Sequence, residues 1–124
     1  MKSLIALLTV SVLVSCNIAV PKKSIPEFMP GTYTRAIHHE FAIGNDTLVI
    51  TQLNGDNYSI IKKAGYVRIA NGKLLNPEHT SERWAGIYDE KAQVLFEQKQ
   101  GRVLSFDVDN KRLFLGGSEY KKTE

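Results

Sequence analysis

The chain has 124 residues, with 16 Lys or Arg against 13 Asp or Glu and a formal charge of +3. That length suits one domain with one core, and the charge is too mild and too evenly alternated to indicate nucleic-acid binding. The single cysteine excludes an intramolecular disulfide, so a folded domain must stand on its apolar core alone.

Met1-Lys2-Ser3 leads into an apolar run from Leu4 to Val14. One lysine before roughly 11 mostly apolar residues is the layout of a secretory signal peptide. A membrane-spanning helix needs about 20 such residues, and this run passes directly into polar chain. It ends in Leu13-Val14-Ser15-Cys16, which resembles the bacterial lipobox: an aliphatic residue, two small or medium residues, then cysteine. The resemblance implies that residues 1–15 are a signal peptide, that the Cys16 thiol receives a diacylglyceryl group, and that a lipoprotein signal peptidase cuts after Ser15. The alternatives are an ordinary signal peptide with a chance cysteine, or a buried structural cysteine. Lipidation accounts for the odd cysteine of an exported protein, and two or three acyl chains hold a protein to a membrane stably. In the enteric sorting rule, aspartate after the cysteine favours inner-membrane retention; Asn17 is compatible with the outer membrane. No acidic export signal follows in "NIAVPKK", which points to the periplasmic face.

Residues 16–30 hold three of the four prolines, Pro21, Pro26 and Pro30. Proline disfavours helix, so this stretch reads as an extended tether behind the lipidated cysteine. Lys22 and Lys23 are either solvated or meet anionic head groups.

Residues 31–124 read as β almost throughout. Short apolar and β-branched runs are separated by turn chemistry: "GTYTRA", "DTLVITQL", the turn "NGDN", "YSIIKK", a break at Gly65, "YVRIA", then "NGK". A looser stretch, "LLNPEHT", precedes "ERWAGIYD"; then come "QVLFEQK", "RVLSFDV", "RLFLG" and "SEYKK". Alternation supports the strands: Leu104, Phe106 and Val108 share one face, as do Leu113 and Leu115, and as do Trp84, Gly86 and Tyr88. About eight short strands joined by hairpins predict an all-β antiparallel meander, curled into a small barrel or a two-layer sandwich. "FMPGTYTR", with Gly31 and Tyr33 opening the first strand, resembles the start of lipocalin-like domains, and "RLFLGGSEYKK" is similar to their terminal hairpin. The whole pattern also resembles short lipoproteins often encoded with conjugative mobile elements. These likenesses imply a lipocalin-like β domain and carry no catalytic motif.

Chemistry-bearing clusters are few. A metal site from His38 and Glu40 would need His79 to arrive from the distant "NPEHTSE" segment, and no spaced ligand motif exists. "DVDNK" starts like a calcium loop, but Arg112 and Ser118 stand where its glycine and glutamate belong, so it reads as a hairpin turn. Asp89-Glu90 and Asp107 with Asp109 fall at predicted turns. There is no G-x-S-x-G elbow and no phosphate loop, and lipidation leaves no thiol nucleophile; the chain is expected not to be an enzyme and to need no cofactor. Asp46-Thr47-Leu48 resembles the acceptor of a bacterial periplasmic O-glycosylation system. Tyr33, Trp84 and Tyr88 either line a ligand pocket or pack into the core with tyrosine hydroxyls at the barrel ends.

The resulting expectation is a lipid-anchored envelope binding or accessory protein. It would touch the membrane through its N-terminal lipid and act through contacts with an envelope protein. A lipocalin-like carrier of a small apolar ligand, and an envelope enzyme inhibitor using "NPEHTSE" as a protruding loop, are the alternatives.

Overall fold

The computed structural model describes residues 23–124; the signal peptide, Cys16 and the first part of the tether lie outside them. A four-residue helix, α1 (Ile25–Phe28), is followed by β1 (Gly31–His39), β2 (Ala42–Asn54), β3 (Asn57–Ala70), β4 (Lys73–Asp89), β5 (Val94–Glu97), β6 (Val103–Asp107), β7 (Arg112–Leu115) and β8 (Ser118–Lys122). Each strand pairs antiparallel with the next, and β8 returns to β1 to close a barrel. The architecture is the all-β, eight-strand antiparallel meander expected from the alternation, and closure decides between barrel and sandwich.

The inward faces follow from the period-2 pattern. Leu48 and Ile50 on β2, Tyr58 and Ile60 on β3, Trp84 and Tyr88 on β4, and Leu95, Leu104, Leu113 and Tyr120 on the later strands form one buried cluster. Tight turns join them. Between β3 and β4, Asn71 and Gly72 take φ of 50° and 74°, the pair of positive values that a two-residue type I′ hairpin needs.

Strand length departs from expectation. β5 to β8 are short, at four or five residues each, but β2, β3 and β4 run 13, 14 and 17 residues. Gly65 does not break a strand: it sits inside β3, opposite Asn45 on β2 and His79 on β4. The stretch "LLNPEHT" is likewise strand, paired through Glu78, His79 and Thr80 with Tyr66, Gly65 and Ala64. Every residue from Lys73 to Arg83 is exposed, so both faces meet solvent and the sequence there has no apolar alternation to betray the strand. At about 3.3 Å per residue, this segment alone is roughly 35 Å long.

The beginning of the domain also shifts. The chain from Ile25 is helical rather than an extended tether. Ser24 caps the helix, its hydroxyl accepting from the Glu27 N–H at 3.4 Å, and Pro26 fits the first turn, where its missing N–H costs nothing. Phe28 and Met29 are buried. They stop the barrel's base, with Phe28 edge-on to Tyr33 and Phe106. The Tyr33 hydroxyl donates to the carbonyls of Phe28 and Met29 at 3.1 and 2.8 Å, and Lys122 Nζ donates to the Phe28 carbonyl. The packed unit therefore starts before residue 31. Phe28→Ala should cost about 3–5 kcal/mol, the usual toll for emptying a buried aromatic site, read as a lower urea midpoint; a solvated tether phenylalanine would leave the midpoint unchanged.

Candidate functional site

The geometry of the site follows from which strands have two neighbours. β8 pairs with β1 only at Tyr33 and Thr34, and β5 pairs with β4 only from Gly86 to Asp89. Beyond those limits, β1 to β4 continue as a four-stranded arm above the closed barrel. Its outer strands are the Arg35–His39 half of β1 and the Lys73–Arg83 half of β4, each laddered on one side only among the described residues. Such an edge leaves a row of backbone donors and acceptors facing outward. Pro77 lies within the β4 edge and lacks an N–H, so the outward donors beyond it come from alternate residues within Glu78–Arg83. The arm's tip is apolar, with Phe41, Leu74 and Leu75 exposed.

Two glycines let the arm strands approach. Gly44 lies opposite Tyr66, and a Cβ there would overlap the Gly65 carbonyl oxygen. Gly65 in turn leaves room for the His79 ring, whose Nδ1 would sit 3.1 Å from an added Cβ. The result is a shallow groove on the outer face, with Ile43, Val67 and Pro77 as its apolar side and Lys63 and His79 as its polar side.

Where arm meets barrel, the inward face changes from apolar to charged. Arg35, Asp46 and Lys62 follow Tyr33, Leu48 and Ile60 along their strands, each one inward position further toward the arm. With Trp84, Tyr120 and Arg102 they line a cleft of about 410 Å³ at the barrel mouth. Asp46 is buried. Its Oδ2 accepts from the Tyr120 hydroxyl at 2.7 Å, with Lys62 Nζ at 3.7 Å. Its Oδ1 is closed to solvent and has no hydrogen-bond partner, a condition that costs roughly 1–3 kcal/mol for a buried polar atom. Burial, and after it the hydrogen bond to Asp46, push the Tyr120 hydroxyl well above the usual tyrosine range, so it remains a donor. Arg102 stacks on Trp84 with its guanidinium carbon 4.2 Å from the ring centroid, a cation–π geometry, and the Trp84 indole N–H donates to Glu82 at 3.0 Å.

Arg102 is held from behind by Glu97, whose Oε2 lies 3.5 Å from a guanidinium nitrogen. The same carboxylate accepts the backbone N–H groups of Lys99, Gln100 and Arg102, at 2.6 Å for the shortest. It thereby organises the β5–β6 turn.

No family model matches this chain, and neither a curated protein nor a solved structure is significantly similar to it.

The three aromatic residues singled out from the sequence all belong to the packed core, the second of the two readings given for them, and they do not share a pocket. Tyr33 is wholly inside the core, Trp84 walls the mouth cleft, and Tyr88 lines a separate surface hollow with Ile87 and Phe96 beside the β4–β5 turn. A common pocket built on all three is replaced by the mouth cleft, to which Trp84 alone contributes. The charged members, Arg35, Asp46, Lys62 and Arg102, carry no sequence motif: register in the β1–β2–β3 meander puts Arg35 opposite Asp46 and brings Lys62 beside them, and closure of the barrel adds Tyr120 and Arg102. Among the described residues, no three His, Cys, Asp or Glu side chains come together as a metal site. His39 Nδ1 accepts the Phe41 N–H at 3.2 Å, and His79 covers Gly65. Asp107 turns its carboxylate to Asn110, accepting its backbone and side-chain N–H at 3.3 and 2.8 Å, so "DVDNK" is a hairpin turn.

Burial by itself would raise the Glu97 carboxyl, but the three backbone donors and Arg102 outweigh it and hold the group below the usual glutamate range. A folded-state value below the unfolded one, about 4.3, adds stability that is complete above that pH and lost as pH falls through the folded value. Glu97→Gln should therefore be less stable than the parent at pH 7, and the gap between their urea midpoints should narrow steadily below about pH 4. A gap independent of pH would assign the loss to altered packing.

Proposed function

We propose that the protein is a lipid-anchored binding or accessory protein of the bacterial envelope, which works through contacts with another envelope protein and catalyses nothing. The observation that carries this reading is the strand edge of the arm, Lys73–Arg83, which among the described residues is exposed throughout and laddered on one side only. An open edge accepts an extended segment of a partner as an additional strand, with main-chain hydrogen bonds supplying affinity and alternate side chains supplying selectivity. The apolar tip at Phe41, Leu74 and Leu75 adds area of the kind buried on association.

The carrier reading has less support. The barrel axis is occupied by Tyr33, Leu48, Ile60, Leu95, Leu104 and Leu113, all with no exposed surface. The inhibitor reading relied on "NPEHTSE" as a loop, and that segment is strand.

The anchor is the lipidated Cys16 read from the lipobox, with the outer membrane and its periplasmic face as the location. The chain enters the domain at the barrel base, beside α1, and the arm leaves from the opposite end. A tether on the base thus turns the edge away from the bilayer while confining it to a thin layer, which raises its effective concentration toward partners there.

Two experiments test this. Radiolabelled palmitate should enter the parent protein and not Cys16→Ser, which should also keep its precursor size; equal labelling and processing of both would remove the anchor. Photo-crosslinking residues placed at Asn76 and Ser81 on the β4 edge should capture one envelope protein in intact cells, while the same residue at Lys91, on the β4–β5 turn at the base, should not. Equal capture from both ends, or turnover of a cell-wall or lipid substrate by the purified protein, would end the proposal.

A further inference from the structure

We propose that the segment docking on the β4 edge is acidic at alternate positions: an extended stretch of the partner, antiparallel to β4, whose Asp or Glu side chains fall on the outer face of the arm. This rests on the reading of the edge as a docking strand and adds the chemistry of what docks there.

The ladder fixes which backbone groups the edge offers. The Tyr88 N–H donates to the Asp56 carbonyl on the β3 side, and the Ala85 carbonyl accepts from Gln98 on the other side. Along an antiparallel strand, residues bonded to one neighbour alternate with residues that face the other, and the β3–β4 register runs unshifted from Asn57↔Ile87 to Val67↔Pro77. Glu78, Thr80 and Glu82 therefore bond to β3, while Pro77, His79, Ser81 and Arg83 turn their backbone outward. Pro77 falls where its missing N–H breaks no bond to β3, the position in which an edge strand tolerates proline. An added antiparallel strand exchanges pairs of hydrogen bonds with His79, Ser81 and Arg83 and donates one more to the Pro77 carbonyl.

Opposite residues of an antiparallel pair share a face, so partner side chains opposite His79, Ser81 and Arg83 join the outer face of the arm. Charge there has one sign. From Ile43 to Val49, from Ile61 to Val67 and from Pro77 to Arg83, the outward positions include Lys63, His79 and Arg83 and no Asp or Glu. Lys63 and Arg83 are both exposed. The inner side of the same edge is already answered: Glu78 holds Arg68 at 3.2 Å, and Glu82 accepts the Trp84 indole N–H at 3.0 Å. A carboxylate on every second residue of the added strand meets the outer cations, and uncharged residues between them suit the inner side. The His79 ring folds back over Gly65, its Nδ1 3.1 Å from where a Cβ would stand, so it lies toward β3 and leaves the edge uncovered. Toward the tip the outer face turns apolar at Ile43, Val67 and Pro77, so the acidic run ends in an apolar residue opposite Pro77. Exposed charges add little affinity singly; backbone bonds supply it, and the charges choose the partner.

The probe is the peptide Glu-Thr-Glu-Thr-Glu-Thr-Val, blocked at both ends, which sets Glu opposite Arg83, Ser81 and His79 and Val opposite Pro77. Added in millimolar amount to the purified full chain at low salt, it should slow hydrogen exchange at the amides of His79, Ser81 and Arg83, with a smaller change at Glu78, Thr80 and Glu82, which are already bonded to β3. The peptide with Lys in place of Glu should bind about tenfold more weakly, since like charges then stand opposite one another, and Arg83→Glu should narrow that preference. No slowing with the acidic peptide overturns the proposal, as does equal binding of the Lys peptide. Equal binding of the acidic peptide N-methylated at its glutamates and valine, which keeps the charge and removes the donors, overturns it as well and leaves a plain anion surface. Slowed exchange of the same amides that grows with protein concentration and needs no peptide gives the edge to a second copy of this chain, and again overturns it. Capture of an envelope protein from Ser81 in cells without binding of the acidic peptide would keep the docking edge and reject the acidic partner.

Discussion

Strands β5 to β8 are four or five residues long, and that length decides where the barrel can close. A strand in a closed barrel needs a partner on each side. The short half can supply partners only over the stretch where β8 meets β1 at Tyr33 and Thr34, and where β5 meets β4 from Gly86 to Asp89. Within that band the inward positions are Tyr33, Leu48, Ile60, Leu95, Leu104 and Leu113, and they fill the interior. Above it β1 to β4 continue as the arm, whose β4 edge, Lys73–Arg83, meets solvent on both faces. Core, mouth and arm are thus three consequences of one mismatch in strand length.

The two ends of the barrel are finished differently. At the base, α1 lays Phe28 and Met29 against Tyr33 and Phe106, and the hydroxyl of Tyr33 and the ammonium of Lys122 take up the carbonyls that the short helix leaves open. A helix of four residues has almost no stability of its own; it persists because the barrel needs its side chains as a stopper. At the mouth the next inward residues of β1, β2 and β3 are Arg35, Asp46 and Lys62, with Trp84, Val103 and Leu115 as the apolar part of the rim. Charge replaces packing there, and the aromatic rings of Trp84 and Tyr120 mark the transition by turning one face to the core and the other to the cations.

The arm carries its own protection against unwanted pairing. Pro77 interrupts the β4 edge, and Lys73, Glu78, Glu82 and Arg83 place charges of both signs along it, devices that blunt edge-to-edge aggregation. Glu78 is tied to Arg68 across the ladder at 3.2 Å, although both are exposed and such a pair contributes little by itself. These features narrow the choice of partner without closing the edge, which is the behaviour a docking strand requires.

The sequence by itself determined the all-β meander, because Leu104, Phe106 and Val108, or Trp84, Gly86 and Tyr88, alternate with a period that only a half-buried strand explains, and because Asn-Gly and Asp-Asn joins dictate hairpins. It also marked the segment ending at Cys16 by composition and spacing alone. It left the outer strand of the arm invisible: from Lys73 to Arg83 neither face is buried, so no hydrophobic pattern separates strand from loop, "LLNPEHT" reads as a looser stretch, and Gly65 reads as a break. Burial of Phe28 and Met29 was equally hidden, since prolines on both sides mimic a tether. Only the tertiary structure could bring Arg35, Asp46, Lys62, Arg102 and Tyr120 to one cleft: strand register gathers the first three, and Tyr120 and Arg102 join them through the closed barrel and its β1–β8 seam, a contact between the two ends of the domain that no local pattern encodes.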